Sequence, residues 1–138
     1  MPGLSDYAEL KILDHSVNKA AWTAPTPWLA LYTATPSDTG GGTEVSTSGT
    51  AYGRINLSTH NAGGTVFGSA AAGAITTIAD ITFATATGAG FGTVTSIGIL
   101  DASTAGNLVW WGALGSSKAV GTGDVFKILT GQLTLTLD

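Results

Sequence analysis

Apolar positions follow two patterns along the chain. Over residues 5–18 (SDYAELKILDHSVN) they recur at helical spacing. Tyr7, Leu10, Leu13 or Asp14, and Val17 fall at i, i+3 and i+7, which makes one apolar stripe. Ile12 lies off that stripe, so the helix can touch two surfaces. Asp6 with Glu9 three positions later resembles a capping pair, and Ser5 is the alternative cap. Pro25 cannot continue a helix, so the end is expected between Asn18 and Thr23.

Beyond Pro27 the pattern becomes that of short strands. Residues 28–33 (WLALYT) form an apolar run, and residues 36–42 (PSDTGGG) break it. A polar stretch continues to about residue 50. Residues 51–57 (AYGRINL) alternate, 61–64 (NAGG) read as a turn, and 65–67 as a short strand. Residues 74–84 alternate around Ile75, Ile81 and Phe83, and 92–100 (GTVTSIGIL) around Val94, Ile97 and Ile99, with an irregularity at Ser96. A turn at 101–107 leads into a buried strand at 108–114 (LVWWGAL). Residues 124–129 and 132–137 read as a closing pair around Thr130 and Gly131. Short strands between Gly, Ser, Thr, Asn and Asp clusters predict an antiparallel β-sandwich or jelly-roll-like domain with one N-terminal α-helix. The helix precedes the strands instead of alternating with them, which argues against a parallel α/β sheet. The expected division is a helix and linker over 1–24 and a sandwich over 25–138, together one compact domain.

Charge changes the picture. Only 10% of the 138 residues are Asp, Glu, Lys or Arg, against about 25% in an ordinary soluble domain. So few charges protect a lone monomer poorly against association. Five lie in the first 19 residues (Asp6, Glu9, Lys11, Asp14, Lys19), which leaves the β region almost uncharged. The balance is acidic, net −4, and argues against nucleic acid and anionic membrane surfaces as partners. No apolar run approaches the roughly 20 residues that span a bilayer, and the first six residues do not read as a signal peptide. The chain has no cysteine, hence no disulfide framework, zinc–thiolate site or Cys nucleophile.

The remaining candidates for chemistry are few. His15 and His60 stand without further ligands at metal-binding spacing. Asp6, Asp38, Asp101 and Asp124 occupy cap- or turn-like positions, where Asp bonds the local backbone. Asp80 is the exception, inside a strand-like run and expected in an outward or bulged position. There is no G-x-S-x-G elbow, and the glycines at 40–42 and 88–92 lack the context of a phosphate loop. We therefore expect no catalytic residue, cofactor or metal. Trp110 and Trp111 must point to opposite faces of a regular strand, one into the core and one under the helix or into a subunit contact. Burial at an interface suits them better than stacking on a sugar. Tyr7, Leu10, Leu13, Trp22, Trp28, Trp110 and Trp111 are the candidate partner contacts, with the polar loop 36–50 as a second element.

Several stretches together resemble a family of small tailed-bacteriophage virion proteins, known as capsid decoration (cement) or tail fibre proteins. They are residues 5–17, 29–52 (LALYTATPSDTGGGTEVSTSGTAY), 79–100 (ADITFATATGAGFGTVTSIGIL), 101–111 and 123–137 (GDVFKILTGQLTLTL). Residues 60–74 match nothing. The resemblance implies a β-rich, non-enzymatic virion component assembled in the host bacterial cytoplasm. A compact chain without a shaft repeat favours decoration of the capsid exterior. There it would clamp capsomers of the major capsid protein, as a homo-oligomer and by lattice symmetry a trimer. The alternative is a tail or tail-fibre component in host attachment, with glycan stacking at Trp110 or Trp111.

Overall fold

The computed structural model describes residues 3–62 and 64–137. The strands are β1 (Gly3–Leu4), β2 (Trp28–Ala34), β3 (Thr43–Glu44), β4 (Ile55–Asn56), β5 (Ala74–Thr76), β6 (Ile81–Thr82), β7 (Gly92–Leu100), β8 (Leu108–Val120), β9 (Lys127–Ile128) and β10 (Thr134–Thr136). The helix is α1 (Asp6–Ser16). The main sheet runs β1-β8-β7-β2-β3, and β4 pairs with the start of β2 on the same edge as β3. Two ribbons, β5 with β10 and β6 with β9, form the second layer. All these pairings are antiparallel, so the architecture is an antiparallel β-sandwich with one helix.

The core lies between the layers. Alternation on β2 sends Leu29 and Leu31 to the inner face, and Ile97 and Ile99 of β7 join them. Ile81, Ile128 and Leu135 meet them from the second layer, and Leu57, Val66 and Phe83 fill the core from flanking segments. Leu29, Leu31, Leu57 and Ile81 have no exposed surface, and each fully buried aliphatic contributes about 2 kcal/mol. Tyr52, Phe83, Phe91 and Phe126 interlock, with Tyr52 stacked on Phe83 at 6.0 Å and edge-on to Phe91 at 5.5 Å.

The outer face of the main sheet holds a smaller cluster of Ala30, Tyr32, Leu100 and Leu108, with Trp111 packed against it. β2 is thus covered on both sides, which is why it reads as an unbroken apolar run. Gly98 is required here. A Cβ at that position would stand 2.9 Å from both the Tyr32 ring and Leu108 Cδ1.

Several expectations need correction. The alternating run 74–84 is two strands, β5 and β6, which go to different partners. The closing pair around Thr130 and Gly131 is not a hairpin. Gln132 N–H bonds Leu129 O across the turn, but β9 pairs with β6 and β10 with β5. Adjacent apolar runs suggest a hairpin by proximity, yet Ile128 and Leu135 enter the core from separate ribbons. Residues 65–67 contribute one isolated bridge, Phe67 to Thr77, instead of a strand, and 51–57 shrinks to β4. β8 runs beyond residue 114 to Val120, through small and polar residues without apolar periodicity. β7 matches its predicted span, and the pairing is irregular at Ser96 as expected.

The helix ends at Ser16, earlier than expected, because Asn18 takes a left-handed conformation (φ 58°). Of the two cap candidates, Ser5 is the cap. Its Oγ accepts from Ala8 N–H at 3.3 Å and donates to Leu108 O on β8. That link, 103 residues long in sequence, sets the orientation of α1 on the sheet.

Candidate contact surfaces

The predicted helix stripe faces solvent. Leu10, Leu13 and Val17 are 65%, 62% and 74% exposed. The helix packs through the opposite side, where Ser5 and Ala8 are buried and Ile12 is half-buried, again at i, i+3, i+7 spacing. The helix therefore has two apolar faces, and the smaller residues make the intramolecular one. Tyr7 is half-buried between them, with Lys11 Nζ 5.6 Å from its ring centre. The helical period was legible in the sequence. Which face docks was not, because the packing face is made of Ser and Ala.

The tryptophans are half-buried within the domain. Trp110 packs on the main core and Trp111 on the outer cluster, so the two point to opposite faces as β geometry demands. Trp111 Nε1 donates to Asp38 Oδ1 at 3.0 Å, which ties the loop after β2 to β8. Trp28 opens β2 opposite Leu100 and Asn56. Trp22 follows the helix, and its backbone N–H bonds His15 Nδ1 at 3.2 Å. His60 Nε2 likewise accepts Thr82 N–H at 3.2 Å, so each histidine accepts a bond from the backbone.

The polar loop 36–50 is more structured than its composition suggests. Gly40, Gly41 and Gly42 all have positive φ, and a Cβ on Gly42 would meet Ala34 O at 2.7 Å. The turn thus folds back on β2, and it leads into a polar cluster that sequence reading missed. Arg54, the chain's single arginine, grips Glu44 with two bonds, Nε to Oε1 at 2.8 Å and Nη2 to Oε2 at 2.7 Å. Its Nη1 donates to Ala102 O and Ala105 O, both at 2.8 Å. Tyr52 donates its hydroxyl to Glu44 Oε1 at 2.8 Å and accepts Leu31 N–H at 3.0 Å. Burial works to raise the Glu44 carboxyl, but the bonds from Arg54 and Tyr52 outweigh it and hold the group below its ordinary value. Burial pushes the Tyr52 phenol well above its usual range. The signal available in advance was one arginine and one glutamate ten residues apart in a nearly uncharged β region.

Most acids serve similar ties. Asp101 accepts from Asn107 N–H at 2.7 Å and Nδ2 at 2.9 Å, and Asp124 accepts from Gly121 N–H at 2.9 Å. Asp80 is exposed, as expected, and holds Thr130 N–H at 2.8 Å, Thr130 Oγ1 at 2.9 Å and Lys127 Nζ at 3.0 Å. The Thr130 N–H, then Lys127, then the Thr130 hydroxyl pull its pKa down to about 2.

A large opening lies beside β8. Between the pairs Val94–Lys118 and Ser96–Ala113, Thr95 alone stands opposite Leu114, Gly115, Ser116 and Ser117, so β8 bulges away from β7. Among the described residues, β1 pairs with β8 at Trp110 and Trp111. The outer edge beyond has no partner among the described strands. Between this edge and the β9–β10 region lies an open cleft of about 840 Å³. Its floor includes Phe126, Ile128 and Leu133, and Val125 at its rim is 48% exposed.

The chain thus combines an antiparallel sandwich, a helix with a free apolar face and an open strand edge. No curated protein matches it. Over residues 3–136 it matches the family described as podophage GP4 fiber I protein gp80, which spans both layers of the sandwich, the helix and the cleft. The chain belongs to that family, a family of bacteriophage virion proteins.

Proposed function

We propose that this protein is a structural subunit of a phage fibre, joined to the virion by protein–protein contact and carrying out no reaction. The observation that carries this reading is the match to a fibre protein family along nearly the whole domain. The exposed helix stripe and the open cleft support it, since contiguous apolar surface marks interaction sites. Attachment to a host glycan through Trp110 or Trp111 draws less support, because both rings pack within their own domain. Gold-labelled antibody on intact virions tests the reading. Label on fibres with a bare head is the expected result, and label confined to the head lattice would overturn it.

Capsid decoration is the second reading, favoured by a compact sandwich that has no shaft-like extension among its described residues. In that arrangement a trimer would bind the assembled major capsid protein and stabilise neighbouring capsomers by mass action. Purified protein would then co-sediment with undecorated shells.

A further inference from the structure

Among the surfaces the fold leaves free, two have each what the other lacks. One is the convex stripe of Leu10, Leu13 and Val17. The other is the concave cleft beside β8. We propose that the α1 stripe of one copy seats in the β8 cleft of the next copy, so that subunits join head to tail.

Shape supports the pairing. Five of the eight β8 residues that line the cleft, Gly112, Ala113, Gly115, Ser116 and Ala119, are small and let a helix about 10 Å across come close. Leucines then reach the apolar floor of Phe126, Ile128 and Leu133.

Charge supports it as well. On the helix, Asp6 lies along the stripe and Glu9 and Asp14 flank it. The cleft carries Lys118 and Lys127 against one acid, Asp124, which is engaged with Gly121 N–H. Lys127 is shared with Asp80, and among the described residues Lys118 has no ion-pair partner. In a chain of net charge −4, copies repel unless opposite patches meet, and these two do.

Placement excludes an internal solution. Ser5 and the buried Ala8 fix α1 at the Leu108 end of β8, whereas the cleft begins at Gly112 and continues to Val120. A chain cannot fill its own cleft with its own helix. A contact between two different patches closes into a ring if the rotation allows and otherwise extends as a filament. The inference deepens the fibre-subunit reading and rests on it only for where the assembly sits. Solution association and virion labelling can fail independently.

Sedimentation of the full chain at rising concentration tests the proposal. The wild type should gain mass. Leu10→Asp with Leu13→Asp should stay monomeric, and so should Gly115→Trp. Both changes suit the folded monomer, since the leucines are exposed and a Cβ on Gly115 meets nothing within 4 Å. Mixed in equal amounts, the two variants should form dimers of one chain each, because each supplies one intact surface. The chain has no cysteine, so Leu13→Cys and Ser116→Cys chains, mixed and oxidised, report the contact without background. Linked pairs should need both. A wild type that stays monomeric, variants that still associate, or Leu13→Cys chains that link to themselves would each overturn the proposal.

Discussion

At its Leu108 end, β8 is paired with β7 on one side and β1 on the other, capped by Ser5 and locked through Trp111 to Asp38. Between Ala113 and Lys118 the same strand bulges away from β7, and from Gly112 onward its outer edge has no partner among the described strands. The first half is held by large side chains and by polar bonds between segments far apart in sequence. The second is anchored at Leu114 and Val120, with small and polar residues between them. Where side chains interlock, the strand belongs to the fold. Where they are small and the edge is open, the strand is available to another chain.

This contrast can be broken most severely at Arg54. Arg54→Ala leaves the Glu44 carboxylate with the Tyr52 hydroxyl but without its counter-charge, and strips the Ala102 and Ala105 carbonyls of the guanidinium, at a cost of about 3 kcal/mol. Urea unfolding would read this as a lower midpoint with an unchanged slope. A matched pair of glycines comes next. Gly98→Ala forces a methyl against Tyr32 and Leu108 and should cost about 2 kcal/mol. Gly115→Ala, on the open half, meets nothing within 4 Å and should stay within about 0.5 kcal/mol of wild type. Equal losses at the two positions would abolish the distinction between the halves. Ser5→Ala removes both a helix cap and the bond to Leu108, and should cost about 1 kcal/mol in thermal unfolding.

The smallest effect concerns acid. Asp80 titrates near 2 when folded, against an ordinary value of 3.8. Its contribution is therefore complete above about pH 4 and fades as pH falls toward about 2. Asp80→Asn should flatten that part of the stability–pH curve and leave the curve near neutrality parallel to wild type.

Local patterns carried much of this structure. Residues 5–18 announced a helix through spacing and caps, and residues 92–100 announced β7 down to its irregularity at Ser96. They failed where pairing is long-range. Nothing local assigns Ile81 to Ile128 or Ile75 to Leu135, because a strand of two or three residues has no register of its own until a partner supplies one. The Glu44–Arg54–Tyr52 cluster was invisible for the same reason, since two of Arg54's acceptors lie about fifty residues away.

Short apolar runs between turn clusters announced a β-rich chain, composition showed its shortage of charge, and periodicity placed an apolar stripe on its helix. Only the tertiary structure decided that this stripe faces outward. The choice lay with the other face. Ser5 and Ala8 are small enough to lie flush on the sheet beside Leu108, and once they do, Leu10 and Leu13 must point to solvent. Tertiary contact likewise decided which half of β8 stays open, because its bulge arises from a mismatch in length between two strands that only meet in the fold.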